Sequence, residues 1–232
     1  MISRLAFASL IARALTAGMT ILAIAVSVAL LLGVEKSRTG AKASIADTVS
    51  GSDLIVGARS GSVQLLLYSV FRIGNATNNL TWESYQDIAK RPDVDWIVPI
   101  SLGDSHRQFR VMGTTPAFFE RYKYRSGQSL VVNDGAIIDD LFDAVIGADV
   151  AATLGYIVGD PIVVAHGLAS FTEHDDQPFS VSGILEKTGT PVDRTVIVGL
   201  RAIEAIHVDW QGGGQIQGES TPADALRRME LE

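Results

Sequence analysis

The chain has no cysteine among its 232 residues. Disulfides, thiolate metal sites and a lipid-modified N-terminal cysteine are therefore excluded. This fits an oxidising compartment without proving one, since many cytosolic proteins also lack cysteine. Basic residues are in deficit: 19 Lys and Arg against 26 Asp and Glu give a net charge of −7 and a pI near 5.1. A nucleic-acid binder carries a basic domain, and no nucleic-acid partner is expected. No glycine-rich phosphate loop is present, because Gly57-Ala58-Arg59-Ser60-Gly61-Ser62 has neither the spacing nor the lysine. There is likewise no G-x-S-x-G nucleophile elbow.

What is present is one long apolar run. Leu15 to Val34 reads LTAGMTILAIAVSVALLLGV, without a charge or a proline. About 20 helical residues at ~1.5 Å each cover the ~30 Å hydrocarbon layer of a bilayer. Apolar side chains fall on every face, so the stripe of an amphipathic surface helix is missing. Residues 15–34 are read as a transmembrane helix. A cleaved signal peptide is the competing reading, but the run ends in Gly33-Val34-Glu35-Lys36 with no small-x-small cleavage pair. No later apolar run reaches spanning length without a charge.

Residues 1–14 form either an interfacial segment leading into the span or a frayed terminus. The positive-inside rule does not orient the span, because Arg4 and Arg13 precede it while Lys36, Arg38 and Lys42 follow it. Residues 35–49 continue as a stalk helix. Residues 50–210 form one extramembrane domain, and 211–232 a flexible, glycine-rich tail whose Leu231-Glu232 reads as an appended end. Within the domain, Asp53–Gly57 is expected as a strand, and Val63–Phe71 as a strand or a buried helix. Thr81 caps a helix that stops before Pro92. Val94–Ile100 and Gln108–Gly113 make a hairpin around the polar Gly103-Asp104-Ser105-His106. Further strands are expected at Ala144–Gly147, Ile162–Val164, Phe179–Leu185 and Thr195–Val198, with short helices at Asp149–Leu154 and Ala202–Ile206. Neighbouring strands separated by turn signals predict a mixed, mostly antiparallel α+β domain.

Chemistry-bearing residues are sparse. His166, Glu173, His174, Asp175 and Asp176 could ligate zinc or a similar ion, but they fall in one loop without paired histidines at helical spacing. A solvated acidic loop is the preferred reading, and no metal or cofactor is expected. Asp139, Asp140 and Asp143 are read as water-facing, and His106 and His207 carry no assigned role. No enzyme is expected.

Several stretches in order resemble the permease subunits of MacB/FtsX-type ABC transporters, including the lipoprotein-releasing and macrolide-export branches. They are the span ending Ala29-Leu30-Leu31-Leu32-Gly33-Val34, then Asp53–Ala58, Phe109–Pro116, Ala144–Gly147, Leu154-Gly155 with Val158-Gly159-Asp160, and Phe179–Leu185. The resemblance implies a cytoplasmic N-terminus, a bacterial inner-membrane span and a MacB-like periplasmic core domain. The implied partners are an ABC ATPase subunit, a second permease copy or paralogue forming a dimer, the lipid bilayer, and a periplasmic partner protein. The three further spans of that family do not follow in this sequence, which suggests a fragment. A single-span anchored binding or sensor module is the alternative.

Overall fold

The computed structural model describes residues 13–48, 51–75, 78–165, 179–211, 214–215 and 221–229. It divides into two compact units, Met1–Ala46 and Asp47–Glu232.

The first unit is helical. Helix α1 spans Ala14–Thr48 and runs through Gly40 without a break. The hydroxyls of Thr20, Ser27 and Thr39 donate to the carbonyls of Thr16, Ala23 and Glu35 at 2.9, 2.8 and 2.9 Å. Such back-bonding satisfies each hydroxyl within the helix, as an apolar surrounding demands. Ala14–Gly40 is long and apolar enough to cross a membrane, and none of its most apolar window is buried within the protein.

The second unit is built on a seven-stranded mixed sheet. Helices α2 (Ser62–Ser69) and α3 (Trp82–Ala89) precede it. The chain continues through β1 (Ile100–His106), β2 (Phe109–Thr114), α4 (Ala117–Arg121), the short β3 and β4 (Lys123–Tyr124, Gln128–Ser129), β5 (Val132–Gly135), β6 (Asp143–Ile146), α5 (Ala148–Leu154) and β7 (Pro161–Ile162). It ends with β8 (Phe179–Leu185), the 3-10 helix Pro191–Arg194, β9 (Thr195–Gly199), α6 (Leu200–Ala205), the β10–β11 ribbon (Trp210–Gln211, Gly214–Gln215) and α7 (Ala223–Leu226). The sheet order is β1-β2-β9-β6-β8-β5, with β7 also on β8. Within it, β2–β9 and β6–β8 are parallel and the other pairings antiparallel.

Strand alternation sorts the core onto two faces. Phe109, Val111, Ala144, Ile146, Val196 and Val198 lie on one face, where Val150 of α5, Ala202 and Ala205 of α6 and Leu226 of α7 cover them. Met112, Val145 and Ile197 point to the other face and pack with Phe118, Phe119, Ile138 and Val192. Gly147 follows β6 because nothing larger fits: a Cβ there would lie 2.2 Å from the Val192 carbonyl oxygen.

The helix cap at Thr81 forms as expected, its hydroxyl accepting from the Ser84 amide at 3.2 Å. Four local expectations are corrected. Residues 53–57 form no strand, because no neighbouring strand pairs with them. Val63–Phe71 contributes a helix, and that helix buries no residue. The hairpin turns one step later than its polarity suggests: β1 starts at Ile100 and runs through Gly103–His106, and Arg107-Gln108 make the turn with Arg107 at φ 53°. Asp104, Ser105 and His106 are buried there because β1 gains a second neighbour, Ser105 and Ala165 exchanging backbone bonds of 2.9 and 2.8 Å. Finally, 211–232 is not wholly a tail, since α7 places Leu226 in the core.

Candidate functional site

The polar residues buried in the domain are the first place to look for chemistry. His106 is fixed at both ring nitrogens. Its Nδ1 lies 2.7 Å from the Val163 carbonyl and its Nε2 lies 2.9 Å from the Tyr156 hydroxyl. A carbonyl only accepts, so Nδ1 carries a proton and donates to Val163; in the neutral ring Nε2 then accepts from the Tyr156 hydroxyl. The ring thus pins β1 to the strand-edge residues that follow β7. His207 donates from Nδ1 to the Ile203 carbonyl at 2.5 Å, and its Nε2 stands 4.0 Å from an Asp104 carboxylate oxygen. Asp193, also buried, accepts from the Thr188 amide, the Thr188 hydroxyl and the Gly189 amide at 2.7, 2.8 and 2.7 Å. These bonds clamp the turn into β9, where the carboxylate organises backbone rather than a reacting group.

The acidic residues near β6 are also structural. Asp143 accepts from the amides of Asp139 and Asp140 at 2.9 and 2.8 Å. Asp140 receives Arg227 in a forked pair, Nε and Nη2 both approaching to 3.0 Å. That hydrogen-bonded guanidinium holds the Asp140 carboxyl below the usual carboxylate range. Arg227 also lies over the Phe142 ring at 5.3 Å, which ties α7 to the start of β6. His166, Glu173, His174, Asp175 and Asp176 lie outside the described residues. Among the described residues, no group of three or more His, Asp or Glu is arranged to hold a metal.

One open groove of about 680 Å³ runs between α5 and the end of β8, lined by Ala148, Ala151, Gly155, Ile184, Glu186 and Lys187. Lys187 is drawn to Asp149 at 2.7 Å across its rim. The groove brings together neither a nucleophile with a base nor a set of convergent donors.

The organisation of the chain is more telling than any one cluster. A profile of the MacB-like periplasmic core domain matches residues 17–228, beginning inside α1 and ending just after α7. The chain belongs to this family.

Membership accounts for the pairing of a membrane-length helix with a mixed α+β domain in one MacB-like unit. The comparison with curated proteins finds no match. Among solved structures, a domain of a candidate permease from Porphyromonas gingivalis is similar, with a TM-score of 0.33 and 13% identity, covering 47% of each chain. In this MacB-like domain the sequence reading passes over two residues, Arg72 and Arg110. The available signal is strand β2 itself: Phe109–Thr114 is buried along its whole length, yet it carries Arg110 between Phe109 and Val111.

Proposed function

We propose that this chain is the N-terminal part of a permease subunit of a MacB/FtsX-type ABC transporter. In this reading α1 crosses the bacterial inner membrane from a cytoplasmic N-terminus, and the α+β domain stands in the periplasm. A separate ATPase supplies the energy, and a second permease copy or paralogue completes the membrane unit. The chain itself carries no catalytic centre; it passes motion from the membrane to the domain, for export or lipoprotein handling with a periplasmic partner.

The observation that supports this most is the continuity of the family match across helix and domain together, residues 17–228. A generic anchored domain would share one part or the other. The unbroken α1, which stays helical through Gly40 to Thr48, suits the transmission of movement, because a helix carries displacement along its axis without a hinge.

The test uses the gene product in its native reading frame, tagged at its C-terminus and purified from its native membrane in non-ionic detergent. An ATPase is expected to co-purify, with ATP turnover that rises on reconstitution into bilayers. Thr39→Cys, in a protein cleared of other cysteines, is expected to crosslink two copies in a nucleotide-dependent way. A single-span sensor module would instead purify without an ATPase, and its crosslinking would ignore nucleotide.

A further inference from the structure

Two guanidinium groups are buried on one side of β2, and among the described residues no acid forms an ion pair with either. Arg110 and Met112 are two apart on that strand and so share a face of the sheet. Arg110 donates through Nη2 to the Gly74 carbonyl and to the Asn75 side-chain oxygen, the latter at 3.0 Å. Its Nε is buried with no partner. Arg72 reaches the same face, where its Nη2 approaches the Met112 sulfur at 2.9 Å while its Nε and Nη1 are buried and unpartnered. A thioether is a weak acceptor.

Arg72 also holds its backbone at φ 62°, the left-handed region that a branched-off side chain disfavours. Burial pushes its pKa down to about 10, against the opposing effect of the Tyr122 and Tyr68 phenols. Of the buried carboxylates, Asp193 is engaged by Thr188 and Gly189, and Asp104 on β1 faces His207 at 4.0 Å. A buried charge without a counter-charge is strongly unfavourable, and two on one face invite one ligand.

The cover over them is thin. Helix α2 buries no residue, and Val63 and Leu67 of it face solvent. Its tether is Tyr68, whose hydroxyl donates to the Leu102 carbonyl and whose ring lies 6.0 Å from the Arg110 guanidinium. Lifting such a helix disrupts little packing, so a ligand can reach beneath it.

We propose that Arg72 and Arg110, beneath α2, form a binding site for an oxyanion, either a carboxylate or a phosphate group. The unpartnered Nε and Nη1 of Arg72 each keep an N–H for a charge-assisted bond to an oxyanion, on opposite sides of the guanidinium plane's long axis. The Arg110 Nε adds a further donor. Nothing in the proposed transport role requires this site, and its test is independent of that role.

The test is thermal unfolding of the full chain in a non-ionic detergent, followed by tryptophan fluorescence, with inorganic phosphate in one arm and N-acetyl-aspartate amide in the other. Sodium chloride holds ionic strength constant. A saturable rise of about 3–5 °C at a tenfold excess over Kd is expected in at least one arm. The responding arm identifies the source: a phosphate-bearing ligand or an acidic peptide. Arg72→Met is expected to abolish the rise while leaving the ligand-free Tm equal or higher, because it removes an unpaired charge. Arg72→Lys, which keeps the charge but loses the fixed Nε and Nη donors of the guanidinium, weakens binding at least tenfold.

If Arg72→Met does not unfold cooperatively, Arg110→Met carries the same test. A rise that Arg72→Met retains is a general exclusion effect of the salt and overturns the proposal. So does the absence of a rise in both arms. Failure of both variants to fold would mean that the guanidiniums stabilise the domain as they stand, and the proposal would fall.

Discussion

Replacing Leu226 with alanine tests whether the end of the described chain belongs to the core. Leu226 sits on α7 after a glycine-rich stretch, yet it is 1% exposed and packs among the residues that cover the Phe109–Val111 face. Leu→Ala at a closed core site costs about 2–5 kcal/mol, from lost transfer free energy plus the cavity left behind. Helix α7 is a single four-residue turn, Ala223–Leu226, so it can settle partly into the space. We therefore expect the lower part of that range, about 2–3 kcal/mol. For a domain of this size each kcal/mol lowers Tm by about 2–4 °C, giving a fall of about 4–12 °C. The three tryptophans, Trp82, Trp96 and Trp210, all lie in the second unit. Their fluorescence therefore reports its unfolding without interference from α1. Met229→Ala is the control: that side chain is 39% exposed, and its loss should shift Tm by no more than about 1–2 °C. Equal small shifts for the two variants would refute the placement of α7 in the core.

Three further outcomes are expected. Gly147→Ala should destabilise the domain at least as much as Leu226→Ala, because the added Cβ meets the backbone oxygens of Val192 and Asp193 at 2.2 and 2.4 Å; a Tm within 1 °C of the parent's would contradict that close approach. The Asp140 carboxyl is depressed by its bond to Arg227, so its contribution to stability is complete above the unfolded carboxylate pKa of about 3.9 and is lost as pH falls through the lower folded value. Both side chains are partly exposed, which keeps the effect within about 1 kcal/mol; Asp140→Asn should lower Tm slightly at pH 7 and not at pH 2, and an equal fall at both would sink the assignment. Zinc or a chelator should leave Tm unchanged, since a structural metal adds folding free energy outright; a zinc-dependent rise abolished by His166→Ala and His174→Ala would establish the loop as a metal site.

Much of the architecture was legible because single residues marked it. The uncharged run to Val34 signals the membrane helix, Thr81 and Pro92 bracket α3, and the alternation of Phe179–Leu185 places β8 with its Phe179, Val181 and Leu185 buried. What misled was polarity without context. Gly103–His106 looks like a loop, yet it pairs with Phe109 and Arg110 of β2, and the long-range exchange between Ser105 and Ala165 buries it from the other side. Leu54, Ile55 and Val56 look like a buried strand, yet Leu54 is 83% exposed, since apolar content alone does not supply a neighbour. The glycines before Thr221 hide Leu226 in the same way. Arg72 and Arg110 were illegible as a set because a loop residue and a strand residue share a face only through tertiary structure.

The strand order has a consequence for how the domain comes into being. Its central pairs join early and late sequence, with Arg110 of β2 beside Thr195 of β9, and Val145 of β6 beside Ile197 of that same late strand. A chain emerging from its N-terminal end therefore cannot complete the sheet until Gly199 has arrived. Until then the apolar strand Phe109–Thr114 has one antiparallel neighbour and an open edge, the kind of edge that pairs with other chains. Folding must await nearly the whole domain and runs slowly, as sheets rich in distant pairings do. Any truncation before Thr195 would leave β2 and β6 without the strand between them, as two half-sheets with their interiors bare.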